Sequence, residues 1–223
     1  MTLTIPNMLT ILRLLAAPGV AVMFLYFARP YADWYALILF VTAALTDFVD
    51  GYLARRWKQV TKLGTMLDPI ADKVMVVIAL MVISWIYGFR GLVVLPATII
   101  LFREVFVSGL REFLGDTAGT LKVTVLAKWK TTVQLVAITV LFSMGIFQHG
   151  VVERVVGMDN EIYRQIISGE IPDDLNLRFY HVGARVTYWG GIALLWLAAA
   201  LTAISGWDYF QKARPYLKDH SGD

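Results

Sequence analysis

The chain has 223 residues, 58% of them apolar and only 17% charged, with a formal net charge of +3 and a mean hydropathy of +0.63. Soluble domains usually carry about a quarter charged residues, so this balance argues against a water-soluble fold. The basic residues sit beside apolar stretches, which suits anionic lipid headgroups and gives no reason to expect nucleic acid. The absence of cysteine excludes disulfides and thiolate chemistry.

In chain order, uncharged and mostly apolar stretches occupy 14–28, 34–46, 74–89, 91–102, 131–147 and 186–207. A membrane-spanning helix needs about 20 such residues. The last stretch meets that length unaided; the others must run on through flanking charges. Charges within a span are costly and mark function. Residues 1–6 lack a basic n-region and Arg13 interrupts the first apolar stretch, so a retained helix is expected there and not a cleaved signal. The reading is all-α: one polytopic domain over 1–223, with six transmembrane helices near 6–28, 33–56, 64–88, 91–114, 122–147 and 182–211.

Basic connections set the orientation. Arg55, Arg56, Lys58 and Lys62 follow the second helix; Arg111, Lys122, Lys128 and Lys130 lie between the fourth and fifth; Lys212, Arg214 and Lys218 lie at the end. The positive-inside rule places these and both termini in the cytoplasm. The segment 148–181, rich in acids, is then extracytoplasmic, with a short surface helix expected near 161–167 and no chemistry assigned.

The informative stretch is TDFVDGYLARRWKQVTKLGTMLDPIADK, residues 46–73. With about 100° per helical residue, Asp50 falls at about −60° from Asp47, Ala54 at about −20° and Gly51 at about +40°. On the next helix Asp72 lies at about +40° from Asp68 and Gly64 at about −40°. A short basic loop should make these helices antiparallel neighbours whose acidic, small-residue faces oppose each other. Four close carboxylates need compensation, and hard divalent cations with oxygen ligands supply it, two fitting a shared cluster. Glycine and alanine leave room for a ligand against the backbone, and Arg55 offers a forked donor for phosphate oxygens. Helix capping accounts for one aspartate, such as Asp68 before Pro69, but not for four on two matched faces.

The order Asp47, Asp50, Gly51, Ala54, Arg55, Gly64, Asp68, Asp72 matches, without departure in spacing, the motif D-x2-D-G-x2-A-R-x8-G-x3-D-x3-D of the CDP-alcohol phosphotransferases. The chain resembles that family, and eight fixed positions make the likeness specific. The resemblance implies an enzyme with six transmembrane helices, a homodimer, and Mg²⁺ or Mn²⁺ bound by Asp47, Asp50, Asp68 and Asp72. It implies Asp72 as general base, and Gly51, Arg55 and Thr61, with Ala54 and Gly64, against the nucleotide end of a CDP-linked lipid.

The motif does not name the acceptor alcohol. Arg103 and Arg111, eight residues apart, share a face of the fourth helix, and Lys128 and Lys130 follow. Such a cluster suits an acceptor that already carries phosphate, although cytosolic loops are basic in any case. The opening IPNMLTILR, the REVFVSGLRE segment and the K-x-K-T-T-x-Q segment resemble the bacterial phosphatidylglycerophosphate synthases, apart from Ala127 in place of a usual glycine and a longer 148–181 segment. That likeness implies Asn7 and Thr10 near the donor and Arg13 with the acceptor-phosphate residues. The implied reaction joins CDP-diacylglycerol to sn-glycerol 3-phosphate, giving phosphatidylglycerophosphate and CMP at the inner membrane. Serine, inositol phosphate or phosphatidylglycerol as acceptor are alternatives within the class. A divalent-cation transporter is the alternative outside it, but its acids would sit at the bilayer midplane, and Arg55 would repel a permeating cation.

Overall fold

A computed structural model describes residues 4–57, 59, 61–120 and 125–217, with the side chains of Arg55 and Lys128 outside the description. Lys58, Lys122 and Lys218 also lie outside it. The helices are α1 (Ile5–Tyr26), α2 (Tyr31–Arg56), α3 (Lys62–Ile86), α4 (Gly91–Leu114), α5 (Val125–Val155), α6 (Asn160–Ser168) and α7 (Leu177–Ala213). Six of them, all but α6, contain windows long and apolar enough to cross a membrane. Short connections alternate the direction of α1 to α5, and contacts of Gly206 and Tyr209 with Arg103 and Arg111 set the C-terminal part of α7 beside that of α4. The N-terminal ends of α1, α3 and α5 therefore share one end of the bundle with the C-terminal ends of α2, α4 and α7.

Boundaries follow local chemistry. α1 opens with Thr4 as its cap, whose hydroxyl accepts the Asn7 N–H, and with Pro6 in the first turn, where its missing N–H costs nothing. α3 begins at Lys62, not at 64, because the Thr61 hydroxyl accepts the Gly64 N–H at 3.0 Å. Asp68 is consequently well inside the helix, and Pro69 follows it there. α5 runs on to Val155 and α7 starts already at Leu177, so the 148–181 segment is mostly helical. The short surface helix expected within it is α6. At about 1.5 Å per residue α7 is ~55 Å long, well beyond the ~30 Å hydrocarbon thickness.

Packing departs from the expected pairing of the second and third helices. α1 lies along both α2 and α3, α5 along α7, and α4 along α7, while α2 and α3 meet only marginally. The loop joining α2 and α3 is short, but α1 occupies the space between their polar faces. The core is built on alanines, among them Ala17, Ala36, Ala79, Ala137 and Ala198, with Phe40 and Phe142 filling its centre. Without a hydrophobic drive between helices in lipid, small residues allow the close approach that dispersion needs.

Candidate active site

Polar groups that cannot face lipid converge at the α1 N-terminal end of the bundle. Arg13, buried on α1, donates through Nη1 to Asp47 at 2.5 Å and to Asp72 at 2.7 Å, and through Nη2 to Asp50. Thr10, one turn earlier, donates to Asp68 at 2.8 Å and to its own helix at the Pro6 carbonyl. The four aspartates are thus brought together, as the two faces predicted, but around α1 and not by direct opposition of α2 and α3. Asp47 and Asp72 keep about half of their side chains open, at 47% and 50%, whereas Asp50 is buried. Arg13 joins the acids and does not line the cavity of the other basic residues.

The residues assigned to the donor gather beside this cluster. Thr61 donates to Asn7 Oδ1 at 2.9 Å while it caps α3. A Cβ at position 64 would stand 2.8 Å from that same Asn7 oxygen. Gly64 is therefore required for α1 to seat against α3, and Asn7 takes the room that the missing side chain leaves. Gly51 and Ala54 line a narrow cleft of about 50 Å³ with Asn7, Thr10, Asp50, Gly64 and Asp68.

On the other side of Asp72 opens a cavity of about 280 Å³ between α3, α4, α5 and α7. It receives Arg103, Arg111 and Lys130, three of the four acceptor residues inferred outside α1. Glu104 holds two of them: Lys130 Nζ lies 2.5 Å and Arg103 Nη1 3.2 Å from its carboxylate. Arg111 stacks over the Tyr209 ring, 5.2 Å from its centre. Two buried donors in the lining, Arg103 Nε and the Tyr209 hydroxyl, have no hydrogen-bond partner among the described residues. Buried unsatisfied donors are costly, and an anionic ligand would satisfy both.

Sequence reading missed Lys73, Tyr209 and Gly206. Lys73 lines the cavity and donates to Ser108 at 2.6 Å. Gly206 admits the Arg103 side chain, since a Cβ there would meet Arg103 Cγ at 2.8 Å. The available signal was the run SGWDY, residues 205–209, polar and small within the last apolar span.

Among the described residues no three acids are spaced to cage an ion; Asp47, Asp50 and Asp72 instead bond the Arg13 guanidinium. The donor chemistry nonetheless fits a hard divalent cation: carboxylate oxygens only, from two helices, with more negative than positive charge among them.

Comparison with known proteins bears on the family. A family model described as CDP-alcohol phosphatidyltransferase matches residues 3–159. A CDP-diacylglycerol–glycerol-3-phosphate 3-phosphatidyltransferase of Cereibacter sphaeroides is 60% identical over 221 residues, covering 98% of this chain and 99% of the relative. Relatives of the same name from Rickettsia bellii and Sodalis glossinidius are 37% and 34% identical, covering 96% and 99% of this chain and 97% and 100% of their own lengths.

Proposed function

This chain belongs to the CDP-alcohol phosphatidyltransferase family, and we propose that it transfers the phosphatidyl group of CDP-diacylglycerol to sn-glycerol 3-phosphate, releasing CMP. The observation that carries the acceptor is the cavity beside Asp72, with Arg103, Arg111, Lys130 and Lys73 around it and two buried donors awaiting an acceptor. A phosphomonoester meets those donors; serine, with its own ammonium group, meets them poorly.

Asp47, Asp50, Asp68 and Asp72 would hold Mg²⁺ or Mn²⁺, which when bound neutralises the diphosphate and the leaving phosphate. The protein's own groups do the rest. The basic cavity orients the acceptor by its phosphate, so that a glycerol hydroxyl faces Asp72. An Asp72 carboxylate oxygen accepts the hydroxyl proton as the glycerol oxygen bonds to the phosphatidyl phosphorus, and the bond from that phosphorus to the bridging oxygen breaks, releasing CMP. Thr10 fixes Asp68, and the Thr61–Asn7 bond fixes the α1–α3 contact on which Asp68 and Asp72 depend. Two ions, a homodimer, and an inner-membrane location with this end and both termini cytoplasmic belong to the same reading, the last supported by the basic connections at this end.

The test is radiolabel transfer by purified protein with glycerol 3-phosphate, serine and inositol phosphate in parallel. Phosphatidylglycerophosphate should dominate the products. Preferential labelling of a serine or inositol-phosphate lipid would overturn the acceptor while leaving the family reaction intact.

A further inference from the structure

At the end of the bundle opposite the aspartates, α5 and α7 outrun the other spans. Gly145 of α5 lies against Arg29 and Asp33, at the turn from α1 to α2. Tyr87, which closes α3, stacks on Tyr188 of α7 with 5.7 Å between ring centres. The level of Gly145 and Tyr188 is thus where three neighbouring spans end, the edge of the hydrocarbon on this side. α5 continues for ten residues past Gly145 to Val155, ~15 Å of helix. α7 accompanies it, with Gly183 against Phe147 and Gly150 against Tyr180.

Between these two helices, at that level, lies a groove of about 340 Å³. Its lining is graded. Met144, Tyr188 and Trp189 form the end nearer the bilayer, and Gln148, Arg185 and His181 the end farther out. Arg185 is exposed and makes no hydrogen bond or ion pair among the described residues. Other arginines of this end are engaged: Arg154 bonds the Leu175 carbonyl and lies over the Tyr180 ring, and Arg178 lies 4.0 Å from Asp173. His181 Nδ1 is 2.8 Å from the Tyr163 hydroxyl. When that hydroxyl donates, the imidazole proton sits on Nε2, a second donor for the groove. No carboxylate is among the described residues of the lining; Glu153, on the same stretch of α5, lies 3.3 Å from His149.

We infer that this groove binds an anionic glycerophospholipid of the leaflet opposite the aspartates, with the lipid phosphate on Arg185 and its chains descending past Met144 and Trp189. A guanidinium meets phosphate oxygens as a fork, and Arg185 stands at the depth of lipid phosphates, one turn outward of an interfacial Trp–Tyr pair. The apolar end accepts the first methylenes of a chain, which a soluble phosphate lacks. The lining also selects among lipids. A headgroup ammonium would find no carboxylate there, whereas a net negative headgroup with hydroxyls, such as that of phosphatidylglycerol, meets Arg185, Gln148 and His181 with donors only or with an amide that serves as either. This site is separate from the donor and acceptor openings, at the other end of the bundle, so the lipid held there is a bound partner and not a substrate.

The test is native mass spectrometry of the delipidated full chain, titrated with phosphatidylglycerol or phosphatidylcholine of the same chains. Wild type should retain phosphatidylglycerol in preference. Arg185→Gln should weaken that retention about tenfold, the low end for losing a charge-assisted hydrogen bond. Arg164→Gln, at an exposed arginine of α6 outside the groove, should change it less than about twofold. Equal loss in both variants, or loss in neither, overturns the inference. So does equal competition by the deacylated headgroup, which would make this a soluble-phosphate site, or a shift from dimer to monomer in Arg185→Gln with lipid retention intact, which would make the occupant a second copy. A second measurement needs no change at Arg185: phosphatidylglycerol brominated on its chains should quench a fluorescence component that Trp189→Phe removes, and at lower concentration than brominated phosphatidylcholine does. Quenching that is indifferent to Trp189 or to the headgroup overturns the inference as well. None of these readouts uses turnover, so they stand apart from the fate of the acceptor assignment.

Discussion

Each end of the bundle sets an arginine against buried aspartate, and the two arrangements are opposites in charge. At one end Arg29 grips Asp33 with two bonds, Nε to Oδ2 at 2.8 Å and Nη2 to Oδ1 at 2.6 Å. One cation meets one anion. The side-chain hydrogen bond to Asp33 raises the Arg29 pKa further. The pair sits against Gly145 of α5 so closely that a Cβ there would lie 2.0 Å from Asp33 Oδ1. At the other end Arg13 faces three aspartates, with Asp68 beside them on Thr10. A matched, bidentate and tightly packed pair satisfies itself and serves the fold. An unmatched cluster, half open at Asp47 and Asp72, retains charge for a ligand.

The contrast breaks if substitutions at the two ends behave alike. At the unmatched end, Asp72→Asn should reduce turnover by about 10²–10⁴-fold, the range for loss of a general base. Asn at 47, 50 or 68 should also cost orders of magnitude, while insertion and folding persist. Near-normal activity in any two of these variants sinks the metal-site reading. At the matched end, Arg29→Ala strands a buried carboxylate at Asp33. That should destabilise by about 3 kcal/mol, the low end of the range for breaking a buried pair, because the Arg29 side chain is 41% exposed. Thermal unfolding in detergent should shift accordingly, with turnover per folded molecule unchanged. A loss of turnover without a loss of stability would remove the distinction.

The same contrast shows what could be read in advance. The four aspartates were legible because helical periodicity alone puts Asp47 with Asp50 and Asp68 with Asp72, and no cap or pair explains so many acids in spans. What periodicity cannot supply is which helix fills the gap between two faces. α1 does, because Gly64 lets Asn7 approach and Thr61 binds it, and so Arg13 moved from the expected basic group to the acids. Arg103, Arg111 and Lys130 were found as a cluster, but their cavity depends on Gly206 and Tyr209 of α7, distant in sequence. The Arg29–Asp33 pair was not legible, since nothing local announces that Gly145 lies across from it.

The acceptor cavity sharpens the comparison at smaller magnitude. Arg111→Ala, Lys130→Ala or Lys128→Ala should each raise the KM for glycerol 3-phosphate about tenfold to a hundredfold, as losing a charge-assisted hydrogen bond typically costs about 1.5–3 kcal/mol. The KM for CDP-diacylglycerol should move much less, and Arg55→Ala should show the reverse bias. Lys130 carries a structural share too, because its removal leaves Glu104 with Arg103 as its remaining ion-pair partner. Arg111, stacked on Tyr209 without an acid partner among the described ion pairs, is the cleaner probe. Small and equal changes in both KM values would make these residues ordinary cytosolic charges.

The smallest effect is expected at the far end, where Asp173 caps α7. Its carboxylate accepts the N–H of Leu177 at 2.7 Å and of Arg178 at 2.9 Å. Desolvation acts to raise its pKa, but those two backbone bonds and the nearby arginines outweigh it, and the net shift is downward from 3.8. A carboxylate whose folded pKa is depressed adds stability that is complete above the unfolded value and is lost as pH falls through the folded one. The cap should therefore hold at neutral pH and release only in acid, below the ordinary aspartate range. Amide hydrogen exchange at Leu177 and Arg178 checks this. In wild type their protection should drop in that acid window; in Asp173→Asn it should already be reduced at neutral pH and show no such drop. Turnover should match wild type throughout the neutral range, because this cap belongs to the end of the bundle opposite the aspartates. If Asp173→Asn slows catalysis while leaving exchange unchanged, the two ends are coupled and the division of labour between them fails.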